Sequence, residues 1–147
     1  MLISKKLIDM DIKAKDKNEI IDQLSALANA DSRLTDLDSF RKAVYDREAE
    51  VSTSLGYSVA VPHGKTDAVK EPFVCFAKSV KGVKWNKQLV HLVFMIGVPL
   101  QAEGKDYLTI LANIARNIMD ENFRSNLLQT TDKDQVIKII NDGEQKG

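Results

Sequence analysis

The chain has 147 residues, enough for one core of ordinary size and short for two. Its 21 basic side chains balance 21 acidic ones and 44% of residues are apolar, which excludes a disordered polyelectrolyte and leaves no charge excess to attract nucleic acid or an anionic membrane. One cysteine and two histidines exclude an internal disulfide framework and make a closed zinc site improbable. No metal and no cofactor are therefore expected.

Lys5 and Lys6 open the chain, but the polar run at 11–19 follows them, so no secretory apolar segment forms. No stretch approaches the ~20 apolar residues of a membrane span, and the longest, 89–100, has the length of a buried strand. With its single Cys75 the chain suits a reducing cytoplasm. Ile20, Ile21, Leu24, Leu27 and Ala28 predict an amphipathic helix over 18–30, capped by Asp16 or Asn18. A second helix is predicted over about 36–48, with Leu37, Phe40, Val44 and Tyr45 on one side. The next segment, 47–69, is rich in serine, glycine and proline and reads as loops around a short strand at 59–61. Two apolar strands follow at 73–79 and 90–98, joined by a polar connection at 81–86. Leu108, Leu111, Ile114, Ala115 and Ile118 then mark a strong helix, with shorter ones at 121–129 and 132–141 and a frayed tail at 143–147. Helices, a core of strands and more helices predict an α/β fold: a single domain over 1–147, core about 2–142, with a mixed β-sheet flanked by helices on both sides.

The chemistry is expected at Pro62-His63-Gly64-Lys65, read as a turn just past a strand end. Proline fixes the approach and glycine removes a side chain beside the ring, so His63 is expected to be accessible. Neutral imidazole is a nucleophile whose second nitrogen can be held by a hydrogen bond. On local spacing alone, a turn histidine with a purely structural hydrogen bond is the favoured reading. His91, between Val90 and Leu92, is expected to be an interior histidine, and Cys75 a small buried side chain. Lys65, Lys70, Lys78, Lys81, Lys84 and Lys87 read as a solvated surface series.

The constellation is wider than the turn. Arg47-Glu48, then Ser52-Thr53-Ser54-Leu55-Gly56, then Val59-Ala60-Val61-Pro62-His63-Gly64-Lys65 resembles the signature of the type-2 (fructose/mannitol) enzyme IIA family of the sugar phosphotransferase system (PTS). Lys70-Glu71-Pro72, Gly82-Val83-Lys84-Trp85, Val90 to Phe94, Val98-Pro99 and Phe123-Arg124 are similar to its fructose-like branch. The resemblance implies a cytoplasmic phosphocarrier whose His63 accepts a phosphoryl group from phospho-HPr and passes it to a IIB component serving a membrane IIC permease. It makes Arg47 the stabiliser of the phosphoryl oxygens, with Ser52, Thr53, Gly64 and Tyr107 in the phosphate environment. A regulatory IIA of the nitrogen-related type, signalling by its phosphorylation state, is the second reading. IIB and IIC are expected on separate polypeptides, unless the sequence is cut from a longer one. Two features depart from the family pattern: Ser54 and Ser58 stand where glycine is usual, and Tyr107 stands where many members have a second histidine near the acceptor.

Overall fold

In the computed structural model, which describes residues 2–101 and 104–145 and the side chains of 2–101 and 109–142, the first helix is capped by Asp16 rather than Asn18. The Asp16 carboxylate accepts the Glu19 N–H at 2.9 Å, and α1 spans Lys17–Ala30. Asp36 does the same for α2, Leu37–Glu50, accepting from Ser39 N–H. Both caps satisfy a donor that the first helical turn leaves without an intrahelical partner.

The strands are β1 (Ile8–Asp9), β2 (Ser54–Gly56), β3 (Val59–Ala60), β4 (His63–Thr66), β5 (Phe73–Trp85) and β6 (Gln88–Pro99). Their order is β1-β5-β6-β3-β2, with β4 also on β6. The sheet is mixed as expected: β5 and β6 form an antiparallel hairpin, while β1 lies parallel to β5, and β3 and β4 lie parallel to β6. Val59 pairs with Leu92 and His63 with Ile96, the same offset, so β3 and β4 are one strand line interrupted at Val61-Pro62. Proline causes the interruption, because it brings no N–H to the ladder.

Two segments differ from the sequence reading. Of the predicted polar connection at 81–86, residues 81–85 belong to β5, which runs on to Trp85, and the chain turns only at 86–87. Pairing passes from Lys78↔Leu92 to Val83↔Val90 across a bulge containing Gly82 at φ 84°. The bulge returns Val83 and Trp85 to the core, which a simple alternation count misses. The N-terminal residues, left unassigned, form a 3₁₀ turn at Lys5–Leu7 and the two-residue β1.

One compact unit ends at Gln101. Its core joins Ile20, Ile21, Leu24 and Ala28 of α1, Phe40 and Val44 of α2, and Phe73, Cys75, Ala77, Trp85, Val93 and Met95 of the hairpin. Burying side chains of this size contributes about 1.5–3 kcal/mol each. The second unit holds α3 (Gly104–Ile118), α4 (Glu121–Gln129) and α5 (Lys133–Gln145), which pack on one another, with Ile114, Ile118, Phe123, Leu127 and Val136 buried. Helix α5 continues to Gln145, past the start of the predicted frayed tail; 146–147 lie outside the described residues.

Candidate functional site

His63 is the first residue of β4, not part of a turn, and only 9% of its surface is exposed, against the expectation of an accessible ring. The strand line explains this, since after the Pro62 break the chain rejoins β6 at once, with Ile96 N–H donating to Pro62 O at 3.0 Å. Next to it, Gly64 lets α2 approach: a Cβ there would meet Val44 Cγ2 at 3.2 Å and Phe40 Cε1 at 3.6 Å. The helix carrying Arg47 and Glu48 is thereby pressed onto the strand carrying His63.

His63 Nδ1 lies 2.8 Å from Val61 O. A carbonyl only accepts, so Nδ1 carries the proton and the lone pair is on Nε2. Burial pushes the imidazole pKa below its ordinary 6.5; the Val61 bond opposes this, the Arg47 charge lowers it further, and the Glu48 charge raises it. The ring is therefore neutral and nucleophilic at neutral pH. Arg47, half-buried in the last turn of α2, donates from Nη1 to Val51 O at 2.9 Å.

The structure also buries a carboxylate to which the sequence reading gave no role. Glu48 is 5% exposed. Its carboxylate accepts the Thr53 N–H at 2.9 Å, the Thr53 hydroxyl at 2.5 Å and the Trp85 Nε1–H at 3.2 Å, with Lys17 Nζ at 3.6 Å. The signal was present: Phe40, Val44 and Glu48 fall at i, i+4 and i+8, so Glu48 continues the buried stripe of α2. A carboxylate at a helix C-terminus is also electrostatically unfavourable and calls for a compensating partner.

The other expected site residues are distributed as follows. Both Thr53 donors are on Glu48, and Thr53 O accepts the Val61 N–H at 3.0 Å. Ser52 Oγ accepts the Ser54 N–H at 3.3 Å, which leaves its hydroxyl hydrogen to a different acceptor. The Ser54 hydroxyl is enclosed with no hydrogen-bond partner among the described residues. Tyr107 lies in α3 in the stretch whose side chains are outside the described residues.

His91 is half-buried, not interior: it sits opposite the β5 bulge, where a Cβ on Gly82 would come within 2.8 Å of its Nε2. Cys75 is fully buried with Sγ 3.6 Å from Leu24 O, and burial drives its thiol pKa far up, so it is no nucleophile. Lys78 departs from the expected solvated series: it is 7% exposed, and burial lowers its ammonium pKa.

The family described as "Phosphoenolpyruvate-dependent sugar phosphotransferase system, EIIA 2" matches residues 1–143, and the chain belongs to it. EIIA components are phosphotransfer proteins that work through a phosphohistidine, and this chain is one of them. It is 36% identical to the fructose-specific EIIA component of Haloferax volcanii, over 91% of this chain and 88% of that protein. It is 34% identical to a fructose-like EIIA component of Escherichia coli, over 91% of each. The fructose-specific EIIABC component of Bacillus subtilis is 32% identical over 95% of this chain, which spans only 22% of that longer protein.

Solved structures share the fold. Nitrogen regulatory protein IIA-Ntr from Neisseria meningitidis superposes with a TM-score of 0.87 at 24% identity, covering 95% of this chain and 96% of that one. The mannitol IIA of Escherichia coli, solved in complex with phosphorylated IIB, gives 0.81 at 23% identity, covering 95% and 97%.

Proposed function

We propose that His63 is the phosphoryl acceptor, taking the group from phospho-HPr and passing it to a IIB component for sugar uptake of the fructose type, in the cytoplasm and alongside a membrane IIC permease. The observation that carries this is the Nδ1–H bond to Val61 O, which fixes Nε2 as the nucleophilic nitrogen. In the forward step the N–P bond of the donor phosphohistidine breaks as the Nε2–P bond of His63 forms, and Nδ1 keeps its proton. Transfer to IIB reverses the roles: the Nε2–P bond breaks and the IIB nucleophile forms the new bond to phosphorus. About two negative charges arrive with the group. Arg47 offers a guanidinium to neutralise them and Ser52 a hydroxyl donor. Thr53, with both donors on Glu48, contributes through the loop, and Tyr107 remains a candidate neighbour of the phosphate.

The fructose assignment is supported by relatives at 34% and 36% identity that carry that name, above the 24% of the nitrogen regulatory protein. IIB as acceptor is supported by the complex of the mannitol relative. Exposed Val51, Leu55 and Tyr57, on the α2–β2 loop and the β2–β3 hairpin, suit a surface that HPr and IIB occupy in turn. Among the described residues no helix is long and apolar enough to cross a membrane. The two compact units act as one domain in this reading, since the family match runs unbroken from 1 to 143 across their boundary.

The test is labelling by phospho-HPr. His63→Ala is expected to abolish acid-labile incorporation with the fold intact, while His91→Gln keeps it. Phosphate surviving in His63→Ala, or found on His91, overturns the assignment.

A further inference from the structure

We propose that Glu48 is a positioning residue for His63, acting through Thr53 and Val61. This rests on His63 as acceptor and deepens that reading.

The connection has three links. Glu48 holds Thr53 by both its N–H and its hydroxyl, Thr53 O holds the Val61 N–H, and Val61 O holds His63 Nδ1–H. Val61 depends on this support because its N–H goes to Thr53 O, one step beyond the Ser54–Ala60 pair in the β2–β3 register, and Pro62, next in the chain, has no N–H to give. The loop from 51 to 53 therefore sets Val61, and Val61 sets the tautomer and tilt of the imidazole. Trp85 Nε1–H and Lys17 Nζ approach the same carboxylate from the β5–β6 hairpin and α1, so the loop is referred to the rigid body of the domain.

Cost distinguishes this role from plain packing. Glu48 continues the Phe40–Val44 stripe, where an apolar residue would bury without desolvating a charge. What the carboxylate supplies that a methyl group cannot is a pair of acceptor oxygens for Thr53, and through Thr53 the orientation of Val61. Its negative charge also favours the protonated ring, opposing Arg47.

The experiment reads the ring itself. In ¹⁵N-labelled protein, the His63 ring nitrogen shifts report the tautomer, and phosphoryl acceptance from phospho-HPr is timed on the same samples. Wild type is expected to hold the Nδ1–H tautomer. Glu48→Gln and Thr53→Val are expected to mix in the Nε2–H tautomer and slow acceptance at least tenfold, with Glu48→Gln also lowering the His63 titration midpoint. Thr53→Ser, which keeps both donors, should recover most of the rate. Leu24→Ala, a core truncation on α1, serves as the control for lost stability and should leave the ring shifts unmoved. If Glu48→Gln and Thr53→Val reduce thermal stability but leave the nitrogen shifts and acceptance rate at wild-type values, Glu48 is structural and the proposal is wrong. If the variants move the tautomer while wild type takes no phosphate, the acceptor reading fails and the coupling of Glu48 to His63 stands.

Discussion

Ser58 occupies a backbone position that serine tolerates poorly. Tyr57 and Ser58 form the two-residue turn between β2 and β3 with φ of 56° and 63°, the left-handed pair that a type I′ turn requires. A non-glycine residue there costs roughly 1–2 kcal/mol, against which glycine's extra chain entropy costs about 0.5–1 kcal/mol. Ser58→Gly is thus expected to raise unfolding stability by about 0.5–1 kcal/mol in urea titration; a loss would mean the serine makes an interaction that outweighs the strain. The unusual serine was legible in the sequence, but its φ was not, because the turn type depends on β2, a three-residue strand too short to show a period. Arg47 poses the opposite case, a residue expected to matter for chemistry and little for folding. Its visible bond is to Val51 O, a contact an ammonium can replace, whereas the two-pronged contact proposed for the phosphate oxygens needs the planar guanidinium. Arg47→Lys is expected to slow acceptance from phospho-HPr by at least about tenfold, some 1.4 kcal/mol in the barrier, with thermal stability unchanged. A native rate would make Arg47 a bystander.

Between elements, the approach of α2 to the sheet is set by two glycines paired across β4 and β6, Gly64 and Gly97. A Cβ on Gly97 would lie 2.3 Å from Phe73 Cε1 and 3.1 Å from Phe40 Cε1, and those two rings are already packed at 5.5 Å between centroids. Neither ring can retreat without opening the core, so Gly97→Ala is expected to cost about 2 kcal/mol or more. At Gly64 the nearest atom is 3.2 Å away on Val44, a contact that a small shift relieves, and the cost should stay below about 1 kcal/mol. Denaturant titration of the two variants decides it, and the reverse order would mean that α2 is not seated on this pair. The helices and the main strands were readable because Phe40–Val44 and the apolar run at 90–98 extend over several periods. β5 was cut short in the reading because its bulge at 79–82 breaks the alternation, and the strand placement of His63 was missed because proline usually ends pairing, whereas here it interrupts a line that resumes in register.

For the molecule as a whole, the buried imidazole ties stability to pH. His63 sits under a desolvation cost that holds its pKa below 6.5, with Arg47 adding to the depression and Glu48 and the Val61 carbonyl working against it. In the unfolded chain the ring titrates near its ordinary value of about 6.5. Below that pH the unfolded state binds a proton that the folded state does not, so stability falls as the solution is acidified, until the folded pKa is reached. Above it both states are neutral at this site and the contribution is complete. The slope from this one group is at most about 1.4 kcal/mol per pH unit. Every other titratable group is common to wild type and His63→Gln, so the difference between the two isolates the ring. In urea unfolding from pH 7.5 down to pH 5, wild type is expected to lose stability faster than His63→Gln once the pH passes below 6.5. Parallel curves would show that the ring is not desolvated in solution, and a steeper loss in the variant would show a raised pKa. The burial that makes the fold acid-sensitive is the same burial that leaves Nε2 unprotonated at neutral pH, so the two properties should be lost together in any variant that opens the Val61–His63 segment to water.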